Sequence, residues 1–441
     1  MSVCLKRIGP AVFGLIVTMA CFVHPAKAYG PEGMFGGRLN PDSTVVLGAP
    51  VQPEDRPLRA QSVLQHPRPD YDPVPLTLGT FELFPSVELG GAYDSNIYAT
   101  PSGEVDDGIF NLRPTLSAFS NWNRHAVSMT TFGDINFYAD KADENFNNYV
   151  TEVQGRYDVM AQTWLMARGG FQHLAEPRSS PNAIGGSEPT TFDVAKGGLS
   201  AFRGPGKIKL GADYNLTRYD YNETPSSAGP IDQSGRDRAE HVAGSRVTYD
   251  LTENFKPYLR GAYNWRNYDH NDEHESEGYE VAVGTTADFG GITSADLFVG
   301  WMSQDYENFG ASEINDGVKF GGRFEWNITG MTSLVLEMDR TIEETTGNDF
   351  NSYKVTGGSA TLTHELLRNV LLETDLSFSR DDFQGVTERQ DDVLSVGGGA
   401  RWYINRNLYS DFIYDWTDRM SDQEDAGYNK HVVSLRVGVQ M

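Results

Sequence analysis

Cysteine is nearly absent from this sequence, since Cys4 and Cys21 are its only two thiols and both lie within residues 1–28. Those residues have the features of a secretory signal peptide, with a basic start, an apolar stretch and the cleavage site Ala26-Lys27-Ala28. Cleavage there leaves a chain without disulfides or cysteine metal sites, which suits passage through an oxidising periplasm. A lipoprotein signal with lipidated Cys21 is the alternative, although Thr18 stands where an aliphatic residue is expected.

Long hydrophobic runs are also missing. After the N-terminal segment no stretch of about 18 apolar residues occurs, and the mean hydropathy is -0.45. A helical membrane protein is therefore excluded, whereas a membrane β-barrel is not, because its alternating strands average to a polar value. The 46 glycines, 21 tyrosines and 23 phenylalanines favour strands and turns.

Positive charge is scarce, because 36 lysines and arginines stand against 61 acids and give a net charge of -25. This balance excludes non-specific binding to nucleic acid, which needs a basic surface. Catalytic patterns are scarce as well, since no histidine stands in a zinc-binding or nucleophile-elbow motif. We therefore predict a non-enzymatic protein without a metal or other cofactor and without a nucleic-acid partner.

Beyond residue 81, apolar and polar residues alternate in short segments, as where Lys319 stands between Val318 and Phe320. A period of two indicates β-strands. We count about 18 segments at a spacing of roughly 20 residues. Their centres lie near residues 91, 115, 132, 155, 169, 196, 214, 243, 263, 283, 301, 322, 339, 358, 376, 397, 414 and 434.

The connections alternate between tight turns, such as Gly290-Gly291, and long polar loops, such as residues 176–189. Short turns on the side of the termini and long loops on the other side are typical of membrane barrels. A ring of about 18 strands encloses more space than side chains can fill, so its apolar face must point into lipid. The sequence thus predicts an all-β fold, a transmembrane up-and-down antiparallel β-barrel over residues 81–441, located in the cell outer membrane.

The polar face of these strands is expected to line a wet lumen. Charges of both signs create a transverse field that favours polar solutes, although each charge could also merely solvate the lumen and stiffen the wall. The predicted lumen-lining residues are Lys209, Asp213, Arg260, Arg266, Lys319, Arg323, Glu325, Glu337, Asp339, Glu373, Asp375, Arg401, Asp411, Asp415 and Arg436.

Aromatic residues near the strand ends are predicted to form two girdles at the membrane surfaces. The girdle on the long-loop side comprises Tyr98, Tyr138, Tyr219, Tyr268 and Tyr306, and the girdle near the tight turns comprises Trp122, Trp164, Trp326 and Trp402.

Both ends of the secreted chain carry their own signals. Residues 29–80 contain prolines throughout and predict an irregular periplasmic segment that enters the lumen or contacts a partner. The final strand alternates to the last residue and resembles the terminal strand that barrel-assembly machinery recognises, although Met replaces the usual Phe. The residues of this predicted assembly signal are Val433, Leu435, Val437, Val439 and Met441. Outer-membrane lipid and lipopolysaccharide are the other expected partners.

The junction between the proline-rich segment and the first strand is distinctive. It reads Arg68-Pro69-Asp70-Tyr71-Asp72-Pro73, then Leu78-Gly79-Thr80-Phe81-Glu82-Leu83-Phe84-Pro85-Ser86-Val87-Glu88-Leu89, then Tyr93-Asp94-Ser95-Asn96-Ile97-Tyr98. This block resembles the opening of the putative β-barrel porin 2 family of Gram-negative outer-membrane proteins, over roughly residues 66–441. The resemblance implies a signal peptide, a proline-rich lead and a large barrel. Several members are associated with exopolysaccharide secretion, which implies a periplasmic polysaccharide export protein as a partner.

Three functional hypotheses remain open at this point. The first is an outer-membrane channel that passes hydrophilic solutes, with exopolysaccharide export as its narrower form. The second is an outer-membrane hydrolase at the loop rim, in which His270 forms an acid/base pair with Asp269 or Asp272. The third is a structural or adhesive barrel whose lumen is blocked by residues 29–80.

Overall fold

The structure is a computed structural model that describes residues 61–306, 314–345, 350–385 and 389–441. The predicted signal peptide and the proline-rich segment before residue 61 lie outside the described residues. Within the described ranges, no helix is long and apolar enough to cross a membrane.

The described residues form one antiparallel sheet of 19 strands. The first, β1, spans Leu76–Leu78 and pairs only with the start of β2. The others are β2 Phe81–Asp94, β3 Asp107–Ser120, β4 Ala126–Tyr138, β5 Phe146–Met160, β6 Thr163–Ala175, β7 Thr191–Arg203, β8 Ile208–Tyr221, β9 Arg238–Tyr249, β10 Phe255–Tyr268, β11 Ser276–Phe289, β12 Thr293–Asp305, β13 Ile314–Thr329, β14 Thr332–Glu344, β15 Phe350–Leu367, β16 Val370–Gly385, β17 Arg389–Tyr403, β18 Leu408–Ser421 and β19 Tyr428–Gln440. Short 3-10 turns span Val63–Gln65, Ala142–Glu144, Ser234–Arg236 and Asp272–His274.

The sheet closes on itself, because β19 pairs with β2 from Val432↔Asp94 to Gln440↔Ser86. Each strand from β2 to β19 therefore has a neighbour on both sides and the wall has 18 strands. Closure removes the free sheet edge that lipid could not satisfy. The predicted all-β, up-and-down antiparallel barrel is confirmed, and every predicted segment centre lies inside a strand.

The two faces of each strand differ as the period of two requires. In β19, Leu435 is 57% exposed on the outer face, whereas its neighbours Ser434 and Arg436 are buried on the inner face. The inner face of the barrel is polar and the outer face is apolar, which is the reverse of a soluble barrel.

Connections of two lengths lie at the two ends of the barrel. The tight turn between β11 and β12 has φ of 69° at Gly290 and 74° at Gly291, a backbone conformation that favours glycine at both positions. We call this end, where both β2 begins and β19 ends, the turn end, and we call the other the loop end.

The predicted aromatic girdles are correct in part. Trp122, Trp326 and Trp402 are exposed on the outer surface near the turn end, as predicted. By contrast, Trp164, Tyr219, Tyr268 and Tyr306 are buried. Tyr219 and Tyr268 line a cavity of the lumen, and Trp164 stacks on Phe202 inside the barrel. The assignment was wrong for these residues because one position along a strand exchanges the two faces.

One seam of the wall is interrupted in its loop-end half. β13 and β14 pair from the turn up to Gly321↔Asp339 and no further. Beyond that point β13 continues to Ile314 beside β12, and β14 continues to Glu344 beside β15. The upper part of β14 is therefore separated from β13 but stays paired with β15.

This upper part folds into the lumen. Ile342 and Glu344 continue the lipid-facing phase of β14, yet both line the same internal cavity as Arg266 of β10. Arg266 donates to the main-chain oxygen of Ile342, and Asn315 of β13 donates to Ser352 of β15 at 2.8 Å. We call residues 340–345 and 350–356 the infolded hairpin.

Candidate functional site: the lumen

The structure places the predicted lumen residues at inward-facing positions of their strands, where alternation with exposed apolar neighbours sets them. Arg266 and Lys319 line the main cavity, and Arg436 lines a smaller one. Lys319, Glu373, Asp375, Arg401, Asp411, Asp415 and Arg436 are buried, whereas Glu337 is exposed within the lumen. Their role in permeation stays a prediction.

Opposite charges meet in ladders across neighbouring strands. Arg401 of β17 donates to both carboxylate oxygens of Asp411 on β18, at 2.7 and 2.5 Å. Arg401 also lies 3.8 Å from Glu88 of β2, which in turn accepts a hydrogen bond from Tyr409. Contacts that skip strands in this way form only on the concave side of the wall, so this network faces the lumen.

A second ladder joins strands β10, β11, β13 and β14. Lys319 of β13 lies 3.5 Å from Asp339 of β14 and 3.8 Å from Glu280 of β11. Arg260 of β10 reaches the same Glu280 at 3.4 Å. Nearer the turn end Arg323 pairs with Glu337 and lies 3.8 Å from Glu325. Of the remaining predicted residues, Lys209 pairs with Asp250 at 2.8 Å.

The loop between β6 and β7, residues 176–190, turns into the lumen, and we call it the inner loop. Its first residue, Glu176, is buried and accepts two hydrogen bonds from Arg236 of the β8–β9 loop, at 3.0 and 2.8 Å. Arg178 binds both oxygens of Glu144 in the β4–β5 connection. These ion pairs fix the base of the inner loop to the neighbouring loops.

The tip of the inner loop reaches the far side of the barrel. Asn182 donates to the main-chain oxygen of Glu344 and accepts from Thr345 at 3.2 Å, both in the infolded hairpin. Arg419 of β18 donates to the main-chain oxygen of Ser179 at 3.1 Å. β14 and β18 are both several strands away from β6 around the wall, so the inner loop crosses the lumen.

Glu344 attaches the infolded hairpin to the wall on the other side of the interrupted seam. It accepts from Arg266, from Tyr268 at 2.8 Å and from Tyr306 at 2.9 Å. The three donors come from β10 and from the end of β12. Burial beside the Glu344 carboxylate raises the pKa of Tyr306 well above its usual value, so this tyrosine remains a donor.

The inner loop and the infolded hairpin roof a cavity of about 820 Å³ inside the barrel. Asn182 and Ile184 border it from the inner loop, and Ile342 and Glu344 from the hairpin. Its charged wall residues are Glu152, Arg168, Lys196, Arg238, Glu240, Arg266, Glu280 and Lys319. A space of this volume with mixed charges suits a small hydrophilic molecule rather than an apolar one.

A second constriction lies at the turn end. Residues 61–73, which we call the mouth segment, enter the barrel there. Val63 is fully buried against Leu371 and Tyr409 of the inner wall. Arg68, also buried, donates to the main-chain oxygen of Val63 at 2.8 Å and to Glu365 of β15 at 3.0 Å. Within the predicted proline-rich segment, residues 61–73 therefore enter the turn end of the lumen.

The mouth segment is also held from the turns below it. Arg368 donates to the main-chain oxygen of Pro67 at 2.7 Å, and Arg406 donates to that of Pro69 at 2.6 Å. Proline has no main-chain N–H but keeps its carbonyl oxygen, so Pro67 and Pro69 can both accept these hydrogen bonds.

Asp269, one of the two acids proposed to pair with His270, pairs with Arg218 instead. Both oxygens of Asp269 accept hydrogen bonds from Arg218, which lowers the pKa of this carboxyl. His270 is exposed in the loop beside it. Among the residues that the structure describes, no group of three or more His, Cys, Asp or Glu could hold a metal ion.

The terminal strand has the geometry expected of the predicted assembly signal. Val433, Leu435, Val437 and Val439 form an exposed stripe on the outer face of β19, and Met441 is exposed after its end. Recognition of this stripe by assembly machinery stays a prediction.

Several lumen residues were not found from the sequence. Glu344 and Ile342 were missed because alternation places them on the lipid face, and Asn182 because its loop has no periodic pattern. Lys196 and Arg168 stand at inward positions of clear strands, so the alternation alone could have found them.

Known proteins similar to this chain comprise one family and several solved structures. A family model described as putative beta-barrel porin 2 matches residues 68–441. Among curated proteins, none matches the sequence. Similar solved structures include OpdL of Pseudomonas aeruginosa, with 12% identity, a TM-score of 0.42 and coverage of 82% of this chain and 99% of that chain. OccAB3 of Acinetobacter baumannii has 10% identity, a TM-score of 0.44 and coverage of 82% and 100%.

Proposed function

Because the chain belongs to the putative beta-barrel porin 2 family, we propose that it is an outer-membrane channel through which hydrophilic solutes pass without covalent chemistry. The observation that carries the proposal is the charged cavity of about 820 Å³ enclosed by an 18-strand wall. Its apolar outer face suits lipid, and its charged inner face suits water and polar solutes.

Passage in this proposal is controlled at two levels. At the loop end, the inner loop and the infolded hairpin leave a polar space between them, so a solute is selected by size and by hydrogen bonding. At the turn end, the mouth segment narrows the periplasmic opening. A solute exchanges part of its hydration shell for hydrogen bonds to polar side chains of the lumen.

Exopolysaccharide export, with a periplasmic export protein as partner, rests on the family resemblance alone. Two independent constrictions suit a small solute better than a thick polymer. Hydrolysis at the loop rim is the weaker proposal, because Arg218 holds Asp269, one of the two acids suggested as partners of His270. We therefore propose a channel for free solutes and no enzymatic activity.

The lipid contacts follow from the outer surface. Exposed apolar side chains such as Leu297, Val299 and Leu435 form the band that would face acyl chains. The acidic loops would contact lipopolysaccharide and its divalent cations at the loop end. The assembly machinery would recognise the exposed apolar stripe of β19 during insertion.

The test is conductance of the refolded barrel in planar lipid bilayers. The folded state is verified first by heat-modifiable migration on gels, since an intact barrel migrates differently from the boiled chain. We expect stepwise ion currents and permeation of small sugars into liposomes. A folded, inserted protein that never conducts and never admits a sugar contradicts the proposal.

A further inference from the structure

Two inward-facing positions of the lumen wall carry no side chain of their own. They are Gly170 of β6 and Gly198 of β7, each of which follows an outward-facing glycine, Gly169 or Gly197. A Cβ at Gly198 would come within 2.7 Å of the side-chain oxygen of Asn215, so this position has no room for a side chain. Neighbouring side chains therefore approach the main chain closely at this part of the cavity wall.

Two cations border these inward-facing glycines. Lys196 stands opposite Gly170, and Arg168 stands opposite Gly198. They lie on adjacent strands and are offset by two residues, a diagonal separation of about 7–8 Å between backbones that long side chains readily bridge. Both residues line the cavity of about 820 Å³.

Lys196 differs from other lysines of the inner face. Its ammonium nitrogen is buried and has no hydrogen-bond partner among the described residues. Lys209 and Lys430, by contrast, each have a carboxylate oxygen within 3 Å, at 2.8 and 2.6 Å, and Lys319 has one at 3.5 Å. A buried ammonium without a partner is costly, so its three donors favour an acceptor from the solution.

The nearest acids in the same row are Glu152 and Glu240, each separated from Lys196 by one intervening strand. Glu240 accepts a hydrogen bond from Arg238 at 2.7 Å. Arg168 donates to Ser200 at 3.1 Å. Lys196 therefore lies between two carboxylates of its row without a hydrogen bond to either, and its ammonium is the group that lacks an acceptor.

We propose that Lys196 and Arg168 form a binding subsite for the carboxylate of a hydrophilic monoanion such as a sugar acid. The ammonium of Lys196 and the planar guanidinium of Arg168 both donate to it. A single negative charge matches the single unpaired ammonium, and the adjacent Glu152 and Glu240 repel a more highly charged anion. The proposal rests on the channel function and names its substrate class.

The test is calorimetric titration of the detergent-solubilised barrel with glucuronate, and with glucose as the uncharged counterpart. Wild type is expected to bind glucuronate and to bind glucose at least about ten-fold more weakly, the size of one charge-assisted hydrogen bond. Lys196→Gln is expected to lose this preference, and Lys196→Arg to retain it. The matched control is Lys207→Gln, which removes the same charge from an exposed turn position after the same strand.

Equal affinity of wild type and Lys196→Gln for glucuronate overturns the subsite, as does an equal loss in Lys207→Gln, which would reveal a general field effect. Because binding is measured without current, this result is independent of conductance. A barrel that binds glucuronate through Lys196 but never conducts contradicts the channel and keeps the subsite. A barrel that conducts but binds glucose and glucuronate alike contradicts the subsite alone.

Discussion

Replacing Glu344 with alanine removes the acceptor that fixes the infolded hairpin to β10 and to the end of β12. The Arg266 and Glu344 side chains are 12% and 8% exposed, so solvent screens their attraction little. Removing one partner of a buried ion pair costs about 3–5 kcal/mol, because the other charge stays buried without compensation. Tyr268 and Tyr306 lose their acceptor at the same time.

This cost applies to the infolded position of the hairpin and leaves the barrel wall intact. It corresponds to roughly a hundred-fold to a few-thousand-fold change in the ratio of infolded to released hairpin. We therefore expect Glu344→Ala to conduct more current per channel than wild type. Faster amide hydrogen exchange in the infolded hairpin, measured by mass spectrometry, should accompany the larger current.

The matched control is Glu337→Ala in the same strand. Glu337 pairs with Arg323 in the open lumen, where the two side chains are 46% and 41% exposed, so the pair contributes at most about 1 kcal/mol. This variant removes the same charge without touching the hairpin attachment. Unchanged conductance and unchanged exchange in Glu344→Ala, or equal changes in both variants, would refute the reasoning.

Three further predictions concern other parts of the barrel. Arg68→Ala removes the donor to Glu365 and should release the mouth segment, which appears as faster proteolysis before residue 73 and a larger current; identical cleavage in wild type counts against it. Val299→Arg on the lipid face should destabilise folding by about 2–4 kcal/mol in urea titrations, whereas Gln154→Arg in the lumen should cost little. Burial lowers the pKa of His274, although Glu344 and Glu273 oppose the shift, so the unfolded chain binds this proton first. The stability contributed by neutral His274 should then be present above about pH 6.5 and decrease below it, and His274→Gln should flatten that decrease.

Much of the fold follows from local pattern. The strands and their faces were predictable because a period of two is set by neighbouring residues, as Leu435 and Arg436 show on opposite faces of β19. The inward position of Lys319 or Asp411 follows from the same alternation. Tyr219 and Trp164 were misassigned because an aromatic ring suits either the membrane surface or the lumen, and only its phase along the strand decides.

The sequence by itself determined a closed barrel with a charged interior and an apolar exterior. The features that determine it, namely the alternation of apolar and polar residues and the lengths of the turns, can each be recognised within a short stretch of sequence. Only the tertiary structure decided how the interior is divided. Asn182 meets Thr345 across 163 residues of chain, and Ile342 turns inward although its strand phase points to lipid. Such contacts depend on the distance between elements after the wall has closed, and no local pattern encodes that distance.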